Sequence, residues 1–113
     1  MRWVLSAVCT LACGAALAQD GDAEAGRALA EEVCSACHPV EAGAGMIGHR
    51  MSLPFEEGVP LTFEDIANTQ GVTRTVLEVW LTSSHPTMPD LVLAPEEIGD
   101  VVAYILSLRH EGA

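Results

Sequence analysis

Cys34-Ser35-Ala36-Cys37-His38 is the stretch on which the reading of this chain turns, because C-x-x-C-H is an attachment signature for c-type haem. On a helical turn, residues three apart share a face, so two thiols at this spacing can reach one edge of a porphyrin. His38 follows at once, its imidazole placed to offer one ring nitrogen to an iron. Two other uses of paired cysteines fit less well. A structural zinc site takes a second Cys/His pair at similar spacing, and no cysteine follows Cys37. A thioredoxin-like redox pair belongs near a βαβ pattern, which this sequence lacks. The motif predicts one covalently attached haem c per chain, with Cys34 and Cys37 as thioether tethers and His38 as proximal ligand.

Working outward from the motif, the first eighteen residues separate from the rest. Met1-Arg2-Trp3 precedes a small, apolar run from Val4 to Leu17 that closes on Ala16-Leu17-Ala18 before Gln19-Asp20, which is the pattern of a secretory signal with an A-x-A cleavage site. The expected division is a signal peptide over 1–18 and a single small domain over 19–113, delivered to the periplasm. The apolar run is too short to span a bilayer. A competing reading makes Cys13 a lipidated residue, but Thr10 stands where an aliphatic residue is usual. Cys9 and Cys13 leave with the leader, so the exported domain has no thiols to spare for a disulfide. A covalent haem would staple so small a domain instead, by adding a large apolar body to its core.

Sixteen acidic residues stand against five basic ones, a formal net charge of −11. Lysine is absent; beyond the leader the bases are Arg27, Arg50, Arg74 and Arg109, whereas every acid lies at Asp20 or later. Nucleic acid and anionic membrane surfaces repel such a domain. A redox protein partner steered by charge would present a basic docking face, unless the acidity serves solubility alone.

Residues 22–33 are rich in Ala, Glu and Leu and predict a first helix, capped by Asp20 or Asp22. Gly26, Leu29, Ala30, Val33 and Cys37 recur at helical spacing, an inward stripe that delivers the tethers, while Glu31 and Glu32 fall on the solvated side. From Pro39 to Leu61 the periodicity disappears, and Gly43, Gly45, Gly48 and Gly58 with Pro39, Pro54 and Pro60 mark a long loop. A loop of that length in a small domain suits wrapping over a cofactor. Thr62-Phe63-Glu64-Asp65 reads as a capping box that opens a short second helix, stopped by Gly71. Thr73 caps a third helix with Val76, Leu77, Trp80 and Leu81 on its apolar face. Trp80 has two readings, a core tryptophan with a polar partner or an indole N–H donor to a haem propionate. Ala94-Pro95-Glu96-Glu97 opens the last helix, with proline in the first turn and acids at the positive end of the dipole. Ile98, Val101, Val102, Ile105 and Leu108 form its buried stripe with Tyr104 alongside, and Arg109 and His110 suit its C-terminal end. The chain is therefore read as all-α, with two short middle helices between the terminal ones.

Ser83-Ser84-His85-Pro86-Thr87-Met88-Pro89-Asp90 is the second chemical site. Proline restricts its own backbone and pushes the residue before it toward extended geometry, so Met88 sits in a stiff, non-helical segment. A stiff loop aims a thioether, whereas a methionine meant for packing falls more naturally on a helix stripe. Met88 is the candidate distal ligand. His85 is its rival and would give a bis-His site of lower potential. Met46, His49 and Met51 in the long loop are further candidates, each read more simply as a loop or packing residue.

Signal peptide, helix, C-S-A-C-H, long loop, two short helices, T-M-P loop and terminal helix, in that order, resemble a class I monohaem cytochrome c. The likeness covers nearly all of the chain beyond the leader and includes Phe63-x-x-Ile66-Ala67, the Ser-His before the methionine loop, and Val-Ala-Tyr-Ile-Leu-Ser-Leu from Val102 to Leu108. It implies the cytochrome c fold, with N- and C-terminal helices crossing and haem-wrapping loops, and His38/Met88 ligation. It implies a glycine where the helices cross, matched by Gly26. The aromatic usual four residues before the first cysteine is Ala30 here, while its partner on the last helix is kept as Tyr104. It further implies a proline carbonyl, from Pro60 or Pro54, that orients the His38 ring and raises its basicity.

With both axial positions filled, one-electron exchange through an exposed porphyrin edge is what remains to the iron. The implied function is electron carriage rather than enzymatic turnover, through small, transient docking to redox partners. Two competitors are a subunit held permanently in a dehydrogenase or oxidase complex, and a ligand binder or peroxidase with a labile sixth position.

Overall fold

A computed structural model describes residues 20–44, 61–84 and 88–112. The first helix, α1 (Ala23–Glu32), begins at Asp22, whose extended backbone (φ −101°, ψ 109°) lets its carboxylate accept from the N–H groups of Glu24 and Ala25 at 2.9 and 3.2 Å. That carboxylate occupies donors the helix leaves unpaired. A single 3-10 turn, Cys34–Ala36, follows.

The last helix, α4 (Pro95–Ser107), has Glu97 reaching back to accept from the Ala94 N–H at 2.7 Å, with Pro95 in the first turn. It packs across α1, the principal helix pair of the fold. A Cβ added to Gly26 would lie 1.9 Å from the Asp100 carbonyl oxygen, so the two backbones touch where only a glycine admits the approach. The Asp22 N–H donates to the Asp100 carboxylate at 2.7 Å beside the same crossing. Around it Ala30, Val101 and Val102 are fully buried, joined by Tyr104, Ile105, Phe63, Ala67 and Leu77. Each fully buried valine side chain contributes about 1.5–3 kcal/mol relative to an exposed one, so the α4 stripe is the main apolar support of this fold.

Two short helices complete it. In α2 (Phe63–Asn68) the Thr62 hydroxyl accepts from the Asp65 N–H at 3.0 Å. This helix stops at Asn68, before the expected Gly71, because side chains replace its next turn. The Asn68 amide donates to the carbonyls of Glu64 and Leu108 at 2.8 and 3.1 Å, and the Thr69 hydroxyl donates to Asp65 at 2.8 Å. Gly71, at φ +85°, serves the turn after the helix instead. In α3 (Arg74–Thr82) the Thr73 hydroxyl accepts from the Val76 N–H at 3.2 Å, and Leu77 is buried. Trp80 departs from its core reading: it is 56% exposed.

Hydrogen bonds to backbone carbonyls tie these pieces together. Arg74 donates to the Asp20 carbonyl at 2.6 Å, linking α3 to the start of α1. Beyond α4, Arg109 donates to the Ala67 carbonyl at 3.1 Å and to that of Val72, and the His110 N–H donates to the Asn68 side chain at 2.8 Å. His110 Nε2 also lies 3.1 Å from the Glu64 carboxylate. Every described element is helical, as the all-α reading requires. Among the described residues no helix is long and apolar enough to cross a membrane.

Candidate haem site

The chain leaves α1 through Val33 and tightens into the 3-10 turn, where the N–H groups of Cys37 and His38 both donate to the Cys34 carbonyl, at 3.1 and 2.9 Å. The Ser35 hydroxyl donates back to Glu31 at 2.6 Å, holding the turn against the end of α1. One turn thus carries both sulfurs and the imidazole. Cys34 is buried and Cys37 exposed, so the first tether rises from the core edge and the second from the surface. Burial pushes the Cys34 thiol up from its ordinary value.

The next three residues are fastened one by one. His38 Nδ1 lies 2.7 Å from the Leu61 carbonyl oxygen; the Phe63 N–H donates to the Pro39 carbonyl at 3.0 Å; and the Tyr104 hydroxyl donates to the Val40 carbonyl at 2.6 Å. The Phe63 ring packs against His38 with centroids 5.7 Å apart and an interplanar angle of 49°. A carbonyl only accepts, so Nδ1 carries a proton and Nε2 is the ring nitrogen left to meet an iron. Two sulfurs on one turn, an imidazole whose Nδ1 is taken by Leu61, and an aromatic ring packed against it form a donor set that fits a covalently attached haem.

A second group forms beyond α3. Met88 is partly buried and lines a cavity of about 220 Å³ with Trp80, Leu81, Ser84 and Leu91. The Ser84 hydroxyl donates to the Asp90 carboxylate at 3.0 Å, joining the two ends of the loop that carries Met88.

Acidic residues outnumber basic ones sixteen to five. Each arginine among the described residues is engaged within the chain: Arg27 with Glu31 at 2.8 Å, Arg74 with Glu78 at 3.8 Å as well as Asp20, and Arg109 with the two carbonyls named above.

Residues 23–109 match the family model described as Cytochrome c. The chain belongs to the cytochrome c family. This cytochrome is also 32% identical over 102 residues to cytochrome c-552 of Bradyrhizobium diazoefficiens, an alignment covering 90% of this chain and 89% of that relative. No solved structure matches it. It is a class I monohaem cytochrome c, carrying covalently bound haem c with its iron and working in electron transport with redox partners.

Of the sequence candidates, the structure gathers Cys34, Cys37 and His38 on one turn, and places Met88 and Trp80 on the wall of one cavity. The leader, Met46, His49, Met51, Pro54, Pro60 and His85 lie outside the described residues. The acceptor for the His38 ring is Leu61 rather than the carbonyl expected of Pro60 or Pro54. Every residue carries a carbonyl, so this role leaves no mark in residue type. Residue type alone does not mark Phe63 and the Tyr104 hydroxyl as neighbours of the motif: Phe63 stands out for its place at the start of the second helix and in the Phe63-x-x-Ile66-Ala67 segment, and Tyr104 for its place beside the stripe of the last helix and at the crossing.

Proposed function

We propose that this cytochrome is an exported one-electron carrier in which Cys34 and Cys37 form the thioether bonds and His38 and Met88 fill the two axial positions. The reading rests on the 2.7 Å contact between His38 Nδ1 and the Leu61 carbonyl, which leaves Nε2 as the available donor beside both tethers. When bound, haem c supplies reversible Fe(III)/Fe(II) exchange of one electron. The chain supplies position and field. By accepting from Nδ1–H, Leu61 fixes the ring and raises the basicity of Nε2. The Ser84–Asp90 bond restrains the Met88 loop, and a thioether ligand favours the reduced state. The Trp80 indole N–H is a donor suited to a propionate at the same cavity.

Export follows from cleavage after Ala18, which leaves 19–113 as the working domain in the periplasm. There a partner with a basic docking face meets an acidic surface whose described arginines are already engaged. Docking of this kind is transient and small in area. Two filled axial positions leave no place for a substrate, which makes the protein a carrier and not an enzyme.

The test is the absorption spectrum of oxidised and reduced holoprotein, followed by carbon monoxide added to the reduced form. The expected result is a weak near-infrared methionine charge-transfer band that disappears in Met88→Ala, with carbon monoxide left unbound by the wild type. Ready carbon monoxide binding with no such band would sink the closed-site reading in favour of a ligand binder or peroxidase.

A further inference from the structure

We propose that Tyr104 is a positioning residue for His38: its hydroxyl, by holding the Val40 carbonyl, fastens the His38–Val40 segment to α4 and so fixes the plane and hydrogen bond of the imidazole. The inference rests on His38 being the proximal ligand.

Three consecutive residues after the haem motif each carry one tie. The His38 ring is bonded to Leu61 and the Pro39 carbonyl to the Phe63 N–H. Both of these partners belong to the short stretch leading into α2. Two bonds between two short segments make a unit, which α2 fastens to the C-terminal end of α4 through Asn68, Arg109 and His110. The third tie differs. Tyr104 stands on α4, which is locked to α1 by the backbone contact at Gly26. Its hydroxyl reaches the carbonyl of Val40, a residue only 2% exposed, at 2.6 Å. Tyr104 also packs on Phe63 with ring centroids 6.3 Å apart, and Phe63 in turn packs on His38 at 5.7 Å. Tyr104 therefore references the imidazole directly to the rigid helix pair along two routes, one hydrogen-bonded and one aromatic. Burial raises the phenol above its ordinary value, which keeps it a donor. A tyrosine needed only for the helix crossing would serve as well as phenylalanine; the hydroxyl is explained by Val40.

Slackening this tie lets the His38–Val40 unit shift against Leu61. A weaker Nδ1–H bond makes Nε2 a poorer donor to the oxidised iron, so the potential should rise. The experiment uses holoprotein labelled with 15N-histidine. It reads two quantities, the solvent exchange of the His38 Nδ1–H in the reduced state and the reduction potential. In Tyr104→Phe the exchange is expected to quicken about tenfold, as for a local opening made easier, and the potential to move upward. Arg74→Gln loses a comparable bond, from α3 to the Asp20 carbonyl, and should match the wild type in both. Phe63→Leu cuts the aromatic route and should move both quantities in the direction of Tyr104→Phe, which keeps the test decisive if that variant does not fold.

A wild-type signal assigned to His38 with Tyr104→Phe indistinguishable from it would overturn the positioning role and leave the ligand reading standing. Equal shifts in Arg74→Gln would also overturn it, because the effect would then be one of general stability. Absence of a haem-shifted Nδ1–H from His38 in the wild type would take down the ligand reading and the positioning role together.

Discussion

Where α1 crosses α4, backbone meets backbone: Gly26 has no room for a Cβ against Asp100, and the surrounding contact is made by Ala30, Val101 and Val102. At residues 38–40 the contacts are polar and individually directed, through Leu61, Phe63 and Tyr104. The crossing is a steric and apolar joint that tolerates little change in volume. The segment at His38 is a set of hydrogen bonds, each of which contributes modestly and sets a direction. One joint gives the molecule its rigidity and the other transfers that rigidity to the imidazole. Tyr104 belongs to both.

The largest expected effect comes from breaking the first joint. Gly26→Ala gains about 1 kcal/mol in helix propensity, but places a Cβ 1.9 Å from a carbonyl oxygen. The clash wins, and a net loss of about 3 kcal/mol is expected on denaturant unfolding. A variant as stable as the wild type would show that the helices can separate without cost.

A smaller loss should follow at the second joint. Thr62→Ala removes the acceptor for the Asp65 N–H at the start of α2, at a cost of about 1 kcal/mol. Because Leu61 and Phe63 flank that cap, the variant should disturb the histidine environment while leaving the α1–α4 crossing intact. A loss as large as that of Gly26→Ala would mean that the two joints are one cooperative unit.

The smallest effect concerns the residue they share. Tyr104 is the chain's single tyrosine, and burial raises its phenol from its ordinary value in the folded state. Its folded pKa exceeds its unfolded one, so its contribution to stability is fully present below the unfolded value and is lost as pH rises through the folded one. Unfolding midpoints measured from neutral pH to above 10.0 should fall more in the wild type than in Tyr104→Phe. Parallel curves for the two proteins would remove the phenol from the account.

Much of this was legible in the residues. The caps at Asp22, Thr62 and Thr73 are side-chain acceptors, and each is found where its residue type predicts. The α4 stripe has helical period, and Val101, Val102 and Ile105 are buried as that period requires. Two details differed for local reasons. Asn68 and Thr69 end α2 with their own side chains before Gly71 is reached, and Trp80 is exposed rather than in the core.

The sequence by itself determined the cofactor motif, the all-α character and the excess of acidic residues, because each depends on side-chain chemistry or on its periodicity. Only the tertiary structure decided that Leu61 faces the His38 ring, that Phe63 binds the Pro39 carbonyl and that the Tyr104 hydroxyl reaches Val40. The acceptors in these bonds are backbone carbonyls, which every residue carries alike, so it is the path of the folded chain that selects among them.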